Sequence, residues 1–132
     1  MFTKTRAFSG FAVPDIAAAK DFYGGTLGLE VTEEDDLLTL HIAGGRPVLV
    51  YAKPDHAPAT YTILNCPVQD VEEAVDRLTA AGVPFEIYTD GPIATDARGV
   101  WRGEGPTIAW FRDPAGNILS VIEIPEDAAP LS

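Results

Sequence analysis

The chain has little of several things, and each shortage excludes a class of protein. Cys66 is the only cysteine in 132 residues, so neither an intrachain disulfide nor a thiolate metal cluster can form. Histidine occurs only at His41 and His56, with no His-x-x-x-His or His-Glu-x-x-His spacing to suggest zinc. Basic residues are scarce: 9 Lys and Arg stand against 20 Asp and Glu, a formal charge of −11. Nucleic acid is held by a Lys/Arg footprint that this composition does not supply. The negative balance suits a cytoplasmic protein kept soluble by its charge, and it mildly favours a cationic ligand. No apolar run approaches membrane-spanning length, Val48 to Ala52 being typical. Met1-Phe2-Thr3-Lys4-Thr5-Arg6 runs into a strand without an apolar signal segment. A soluble, cytoplasmic protein without nucleic-acid or membrane partners is expected.

What is present is a phrase written twice. Val13-Pro14-Asp15-Ile16-Ala17-Ala18-Ala19-Lys20-Asp21 returns in the second half as Val68-Gln69-Asp70-Val71-Glu72-Glu73-Ala74-Val75-Asp76. Each copy follows an extended stretch, puts Asp at a helix N-cap and opens a run with helical apolar spacing. A repeat of this kind marks two halves of one small domain, each unable to bury its sheet face alone. With 46% hydrophobic residues the chain can build a core. One domain over 1–132 is expected, with a first module at about 1–56, a second at about 57–126 and a frayed tail at 127–132.

The halves read alike. Strands are expected over 7–13, 29–33, 37–42 and 48–51, with a helix from Ile16 to about Tyr23 broken by Gly24-Gly25. Glu33-Glu34-Asp35-Asp36 reads as a solvent-facing hairpin turn, and 53–59, with Pro54 and Pro58, as a linker. The second half offers a strand over 61–68, a helix over 71–81 ended by Gly82 and Pro84, and a strand over 85–89. Then comes a loop over 90–106, a length that usually carries function or mobility. A hairpin follows, with strands at 107–112 and 118–124 around Asp113-Pro114-Ala115-Gly116-Asn117. The class is α+β, with βαβββ written twice.

Two motifs make a family visible. Val13-x-Asp15 through Phe22-Tyr23 to Leu27-Gly28-Leu29, and Trp110-Phe111-Arg112-Asp113-Pro114-Ala115-Gly116-Asn117-Ile118-Leu119, resemble the opening and ending of vicinal-oxygen-chelate domains. This is the superfamily of glyoxalase I, extradiol dioxygenases, fosfomycin-modifying enzymes and bleomycin-resistance proteins. The resemblance implies two βαβββ modules forming a cup-shaped, eight-stranded mixed sheet with helices on the outer face, completed in many members by a second copy. A homodimer is therefore expected. The fold alone does not decide function, because it carries both metalloenzymes and metal-free binders.

The resemblance also says where a metal would be held. The family's ligands lie on the first strand seven positions before the capping Asp, at the equivalent place in the second half, and at the Glu of a Gly-Asn-x-x-Glu pattern. Here those positions are Phe8, Ile63 and Ser120. Phe and Ile offer no donor atom, and a neutral hydroxyl replaces a carboxylate poorly. No metal and no cofactor are expected.

Strand alternation places Phe8, Gly10 and Ala12 on the hollow side, together with Tyr61, Ile63 and Asn65 and with Ile118, Ser120 and Ile122. Leu64, Cys66 and Val68 would pack beneath. Such a wall is apolar and aromatic with a few neutral hydrogen-bonding groups, which suits an organic ligand. The candidate ligand-binding residues are Phe8, Tyr51, Tyr61, Ile63, Asn65, Tyr88, Trp101, Arg102, Trp110 and Ser120. Trp101 and Arg102 sit in the long loop, where an aromatic face beside a guanidinium can grip a planar ligand. Strand aromatics equally serve packing, and an inward Asn65 equally serves a neighbouring strand. His41 is read as a satisfied structural histidine, His56 as an exposed linker residue, and Glu123 as a strand end facing water. No catalytic residue is assigned.

The function expected is metal-independent binding of a small aromatic or natural-product molecule, in the manner of drug-resistance proteins. The alternative is a glyoxalase- or dioxygenase-like lyase, isomerase or oxidoreductase with relocated or absent metal ligands. A protein-interaction module is the third possibility.

Overall fold

The computed structural model describes residues 1–103 and 105–124, so the tail read as frayed lies outside the described residues. The chain divides into two compact units, Met1–Pro58 and Ala59–Ser132. The boundary falls inside the Pro-containing stretch expected to link the halves.

In the first unit, β1 (Gly10–Val13) leads through Pro14 to α1 (Ile16–Lys20), followed by β2 (Glu30–Glu34), β3 (Leu37–His41) and β4 (Val48–Ala52). The sheet order is β1-β4-β3-β2, with β1 parallel to β4 and the other pairs antiparallel. Asp15 is the N-cap of α1: its backbone is extended and its carboxylate accepts the Ala18 amide at 3.2 Å. Such a cap contributes about 1 kcal/mol. The β2–β3 hairpin turns on Asp35 and Asp36, both with positive φ (51° and 63°). Two such residues in succession make the turn whose twist matches the flanking strands.

The first helix does not stop at Tyr23. It widens into a π-helical turn over Asp21–Thr26, in which the Leu27 amide reaches the Phe22 carbonyl at 2.9 Å. Phe22 and Tyr23 are both buried, edge to face with centroids 5.2 Å apart, and Tyr23 meets Phe11 at 5.6 Å. Gly24-Gly25 therefore lies within the turn instead of ending it.

The second unit repeats the plan with β5 (Thr62–Val68), α2 (Val71–Ala80), β6 (Val100–Trp101), β7 (Ile108–Arg112) and β8 (Ile118–Glu123). Its order is β5-β8-β7-β6, again with the first strand parallel to the last. The eight strands thus form two four-stranded mixed sheets. Asp70 caps α2 through the Glu73 amide at 3.2 Å. Gly82, with φ of +92°, closes it: its amide bonds to the Thr79 carbonyl and that of Val83 to Leu78. That pair of bonds is the Schellman closure, available cheaply to glycine. α2 packs on β7 and β8, and alternation gives one sheet face to Ala109, Phe111, Leu119 and Val121, all buried. Trp110, Ile118 and Ser120 point the other way.

The strand expected over 85–89 is reduced to a fragment. Phe85 bridges Phe111 and the Glu86 amide bonds to the Trp110 carbonyl at 2.8 Å, but there the pairing stops. The places opposite Ala109 and Ile108 are taken instead by Val100 and Trp101. The sheet edge is therefore one strand interrupted by an excursion of residues 87–99. Competition explains the exchange, because it buries Val100 while leaving Ile87 52% exposed. The excursion is pinned at its neck: the Thr95 amide bonds to the Tyr88 carbonyl at 2.8 Å and the Tyr88 amide to Thr95 Oγ1 at 3.0 Å. Its exit passes so close to its entry that a Cβ on Gly99 would lie 2.9 Å from the Glu86 carbonyl oxygen.

Candidate functional site

The site grows from Trp110. It stands in the middle of the outward-turned side chains of the second sheet, directly opposite Ser120 on β8. On one side the Tyr88 ring meets it edge-on at 5.7 Å, and on another the Trp101 ring lies at 6.4 Å. Beside Trp110 opens a cavity of about 430 Å³, bounded by Tyr61, Thr62, Tyr88, Ile93, Trp110 and Ile118. Thr60, Asp90 and Pro92 complete the boundary. The space is open to solvent on one side, and its mixture of rings, methyls and a few polar groups suits an organic ligand. All of it belongs to the second unit.

Of the residues singled out in sequence, Tyr61, Tyr88 and Trp110 meet around this cavity. Burial, and then the Glu86 carboxylate, push the Tyr88 phenol above its ordinary value, against a smaller opposing effect of Arg112. It is a proton-bearing hydrogen-bond group at neutral pH rather than a base. Asn65 and Ser120 face each other across the parallel β5–β8 pair, with the Ser120 hydroxyl donating to Asn65 Oδ1 at 2.5 Å. Trp101 stands beside Trp110 with its ring folded over Gly103, outside the cavity boundary.

Arg102 is occupied elsewhere. It pairs with Glu72 at 2.9 Å and Asp96 at 3.2 Å, while Arg98 pairs with Glu72 at 2.8 Å and with Asp76. The two guanidiniums tie the excursion to α2, a use that the Arg-Gly-Val-Trp-Arg spelling alone does not reveal. The Val100 amide is the main reason the Asp96 carboxyl sits below the usual carboxylate range, with Arg98 and Arg102 assisting.

Ile63 misses the cavity because β5 carries an irregularity. Thr62 pairs with Ile118 and Leu64 with Leu119, so Ile63 is the extra residue and Thr62 takes the inward place. Phe8 and Tyr51 belong to the first unit, where they are 62% and 40% exposed. Thr60, Thr62, Asp90, Pro92 and Ile93 were not foreseen. The only sequence signal for the last three is the Asp90-Gly91-Pro92 turn cluster within the long loop.

Other expectations change. His56 is half-buried instead of exposed, and its Nε2 lacks a hydrogen-bond partner among the described residues. Glu123 is half-buried rather than solvated, its carboxylate 3.5 Å from the Val71 amide at the start of α2. Negative charge is favoured there by the helix dipole. His41 Nε2 lies 3.0 Å from Thr32 Oγ1 on the neighbouring strand, consistent with a structural role. Burial pushes the Cys66 thiol up, which disfavours the reactive thiolate.

The fold's metal ligands can be tested on the donor atoms present. Phe8 and Ile63 have none, and the Ser120 hydroxyl is already engaged by Asn65. Among the described residues no group of three or more His, Cys, Asp or Glu could hold an ion. These residues do not fit a metal of the kind the fold implies, and no chemical step is derived through one.

Similarities to known proteins agree with the topology. A glyoxalase/bleomycin resistance/dioxygenase member from Sphaerobacter thermophilus is 24% identical with a TM-score of 0.68, covering 94% of this chain and 100% of that one. TnmS3, an antibiotic binding protein from Streptomyces sp. CB03234, is 24% identical (TM-score 0.64; 92% and 98% covered). Lactoylglutathione lyase from Agrobacterium tumefaciens is 23% identical (TM-score 0.62; 91% and 93% covered). Likeness at this level of identity speaks for the fold alone. No curated protein matches the chain in sequence. Among the described residues no helix is long and apolar enough to cross a membrane. The family model for the Glyoxalase/Bleomycin resistance protein/Dioxygenase superfamily matches residues 7–121, and the chain belongs to that superfamily.

Proposed function

We propose that the protein is a metal-independent small-molecule binding protein that sequesters an aromatic or natural-product ligand in the cavity beside Trp110. The observation that carries this reading is the cavity itself: about 430 Å³ bounded by Tyr61, Tyr88 and Trp110, with hydroxyls at Thr60 and Thr62. Flat rings stack on flat rings, and scattered hydroxyls orient a guest without attacking it. Among the described residues no histidine or cysteine lines the cavity, and Tyr88 holds its proton. The absence of donor atoms at Phe8 and Ile63 supports binding without an ion. The resemblance to TnmS3, an antibiotic binding protein, supports the ligand class. The same reading has the protein act in the cytoplasm as a homodimer, as the family resemblance suggests.

Tryptophan fluorescence tests it directly, because Trp110 bounds the cavity and Trp101 adjoins it. Titration with a panel of planar aromatic natural products should give saturable quenching that EDTA leaves unchanged and Trp110→Ala removes. Absence of quenching across the panel, or quenching that requires a stoichiometric divalent ion, overturns the reading.

A further inference from the structure

Carboxylates in the second unit are mostly spoken for. Glu72, Asp76, Glu86 and Asp96 are each paired with an arginine, and Glu123 faces the start of α2. Asp90 differs: it bounds the aromatic cavity, and among the described residues its carboxylate has neither a hydrogen bond nor an ion pair. It is also carried by the excursion that the sheet's edge strand extrudes, and it bounds the same cavity as Trp110. A formal charge of −11 adds a general attraction for cations.

We propose that the ligand is a planar aromatic molecule bearing an ammonium group, its ring against Trp110 and Tyr88 and its cation at Asp90. This rests on the small-molecule reading above and narrows it. A cation near the faces of Tyr61, Tyr88 and Trp110 is attracted by their quadrupoles, and the unpaired carboxylate supplies the opposite charge. An anionic guest would meet Asp90 and the overall charge unfavourably. A neutral guest would keep the stacking and lose the rest.

The test uses two isosteric probes at neutral pH, 1-naphthylmethylamine, which is protonated, and 1-naphthalenemethanol, which is neutral. Calorimetry on the full chain should show the amine binding about tenfold tighter, the sum of a partly exposed cation–π contact and ion pair. Added salt should narrow the gap. Asp90→Asn should cut it to about threefold, the share left to the cation–π contact, while leaving the alcohol's affinity unchanged. Glu73→Gln removes an equal charge from exposed α2, whose packing face of the sheet is the one Trp110 points away from, and should preserve it. Equal affinities for the two probes, or an Asp90→Asn variant that prefers the amine as strongly as the parent does, overturn the charge assignment and leave the aromatic cavity standing. Binding of neither probe up to millimolar concentration, with no quenching by the wider panel, overturns both.

Discussion

Ser120 Oγ donates a 2.5 Å hydrogen bond to Asn65 Oδ1 across the parallel β5–β8 pair, and Ser120 is completely buried. The family resemblance puts a metal-binding carboxylate at that position, and here a neutral pair closes on itself. Ser120→Ala should destabilise the fold by about 1 kcal/mol, because exposed Asn65 can recover its partner from water. Chemical denaturation measures this.

Restoring the missing carboxylate alone should not restore an ion site. Ser120→Glu would add one oxygen donor where Phe8 and Ile63 supply none. Calorimetric titration with Zn²⁺ or Mn²⁺ should show no saturable binding beyond the parent protein. Submicromolar, stoichiometric uptake would contradict the donor argument.

Gly99 is the tightest point of the excursion's neck. Its φ is +91°, and an added Cβ would press on Phe85 Cβ and the Glu86 carbonyl oxygen, each at 2.9 Å. Both objections apply to Gly99→Ala, so a loss of roughly 2–4 kcal/mol is expected. Ligand-induced quenching should weaken as well, because the excursion carries Tyr88, Asp90 and Ile93. A variant as stable as the parent would show that the neck yields freely.

Asp113 organises the β7–β8 hairpin. Its buried carboxylate accepts the Ala115 and Asn117 amides at 2.9 Å and Asn117 Nδ2 at 3.0 Å. Asp113→Ala strands those donors and should cost roughly 3 kcal/mol in thermal or chemical unfolding. Asp113→Asn, which keeps an acceptor oxygen, should cost less.

Asp96 makes the neck sensitive to acid. Its carboxyl is held below the ordinary value, first by the Val100 amide, so its contribution is fully present above the unfolded value near about pH 4. That contribution is lost as pH falls through the lower folded value. The Val100 amide resonance should shift with a midpoint below that of an unpaired aspartate, and Asp96→Asn should abolish the transition. A midpoint at the ordinary value would remove the amide's claimed role.

Much of the fold was legible. Both N-cap aspartates, the Gly82 closure, the Asp35-Asp36 turn and the Asp113–Asn117 hairpin are local devices, and each acts as its spelling suggests. The candidate site was legible where a side chain's direction followed strand parity, as at Tyr61 and Ile118, and where an aromatic drew notice by its type, as at Tyr88 and Trp110. Parity failed at Ile63, because one extra residue in β5 hands the place opposite Ile118 to Thr62. The fragment at Phe85–Glu86 was hidden for another reason. Phe85 to Thr89 has good strand chemistry, but a more buried rival, Val100-Trp101, takes its partner.

The order of residues by itself determined the repeated βαβββ plan, the helix starts at Asp15 and Asp70, the closure at Gly82 and the loss of donor atoms at Phe8 and Ile63. Those depend on neighbours close in the chain, or on chemistry that no folding can alter. Tertiary structure alone decided which arginines were already engaged, that Asp90 was not, and that residues 87–99 would wall a cavity beside Trp110. Each is a competition between groups distant in sequence, settled by burial and pairing once the second sheet has formed.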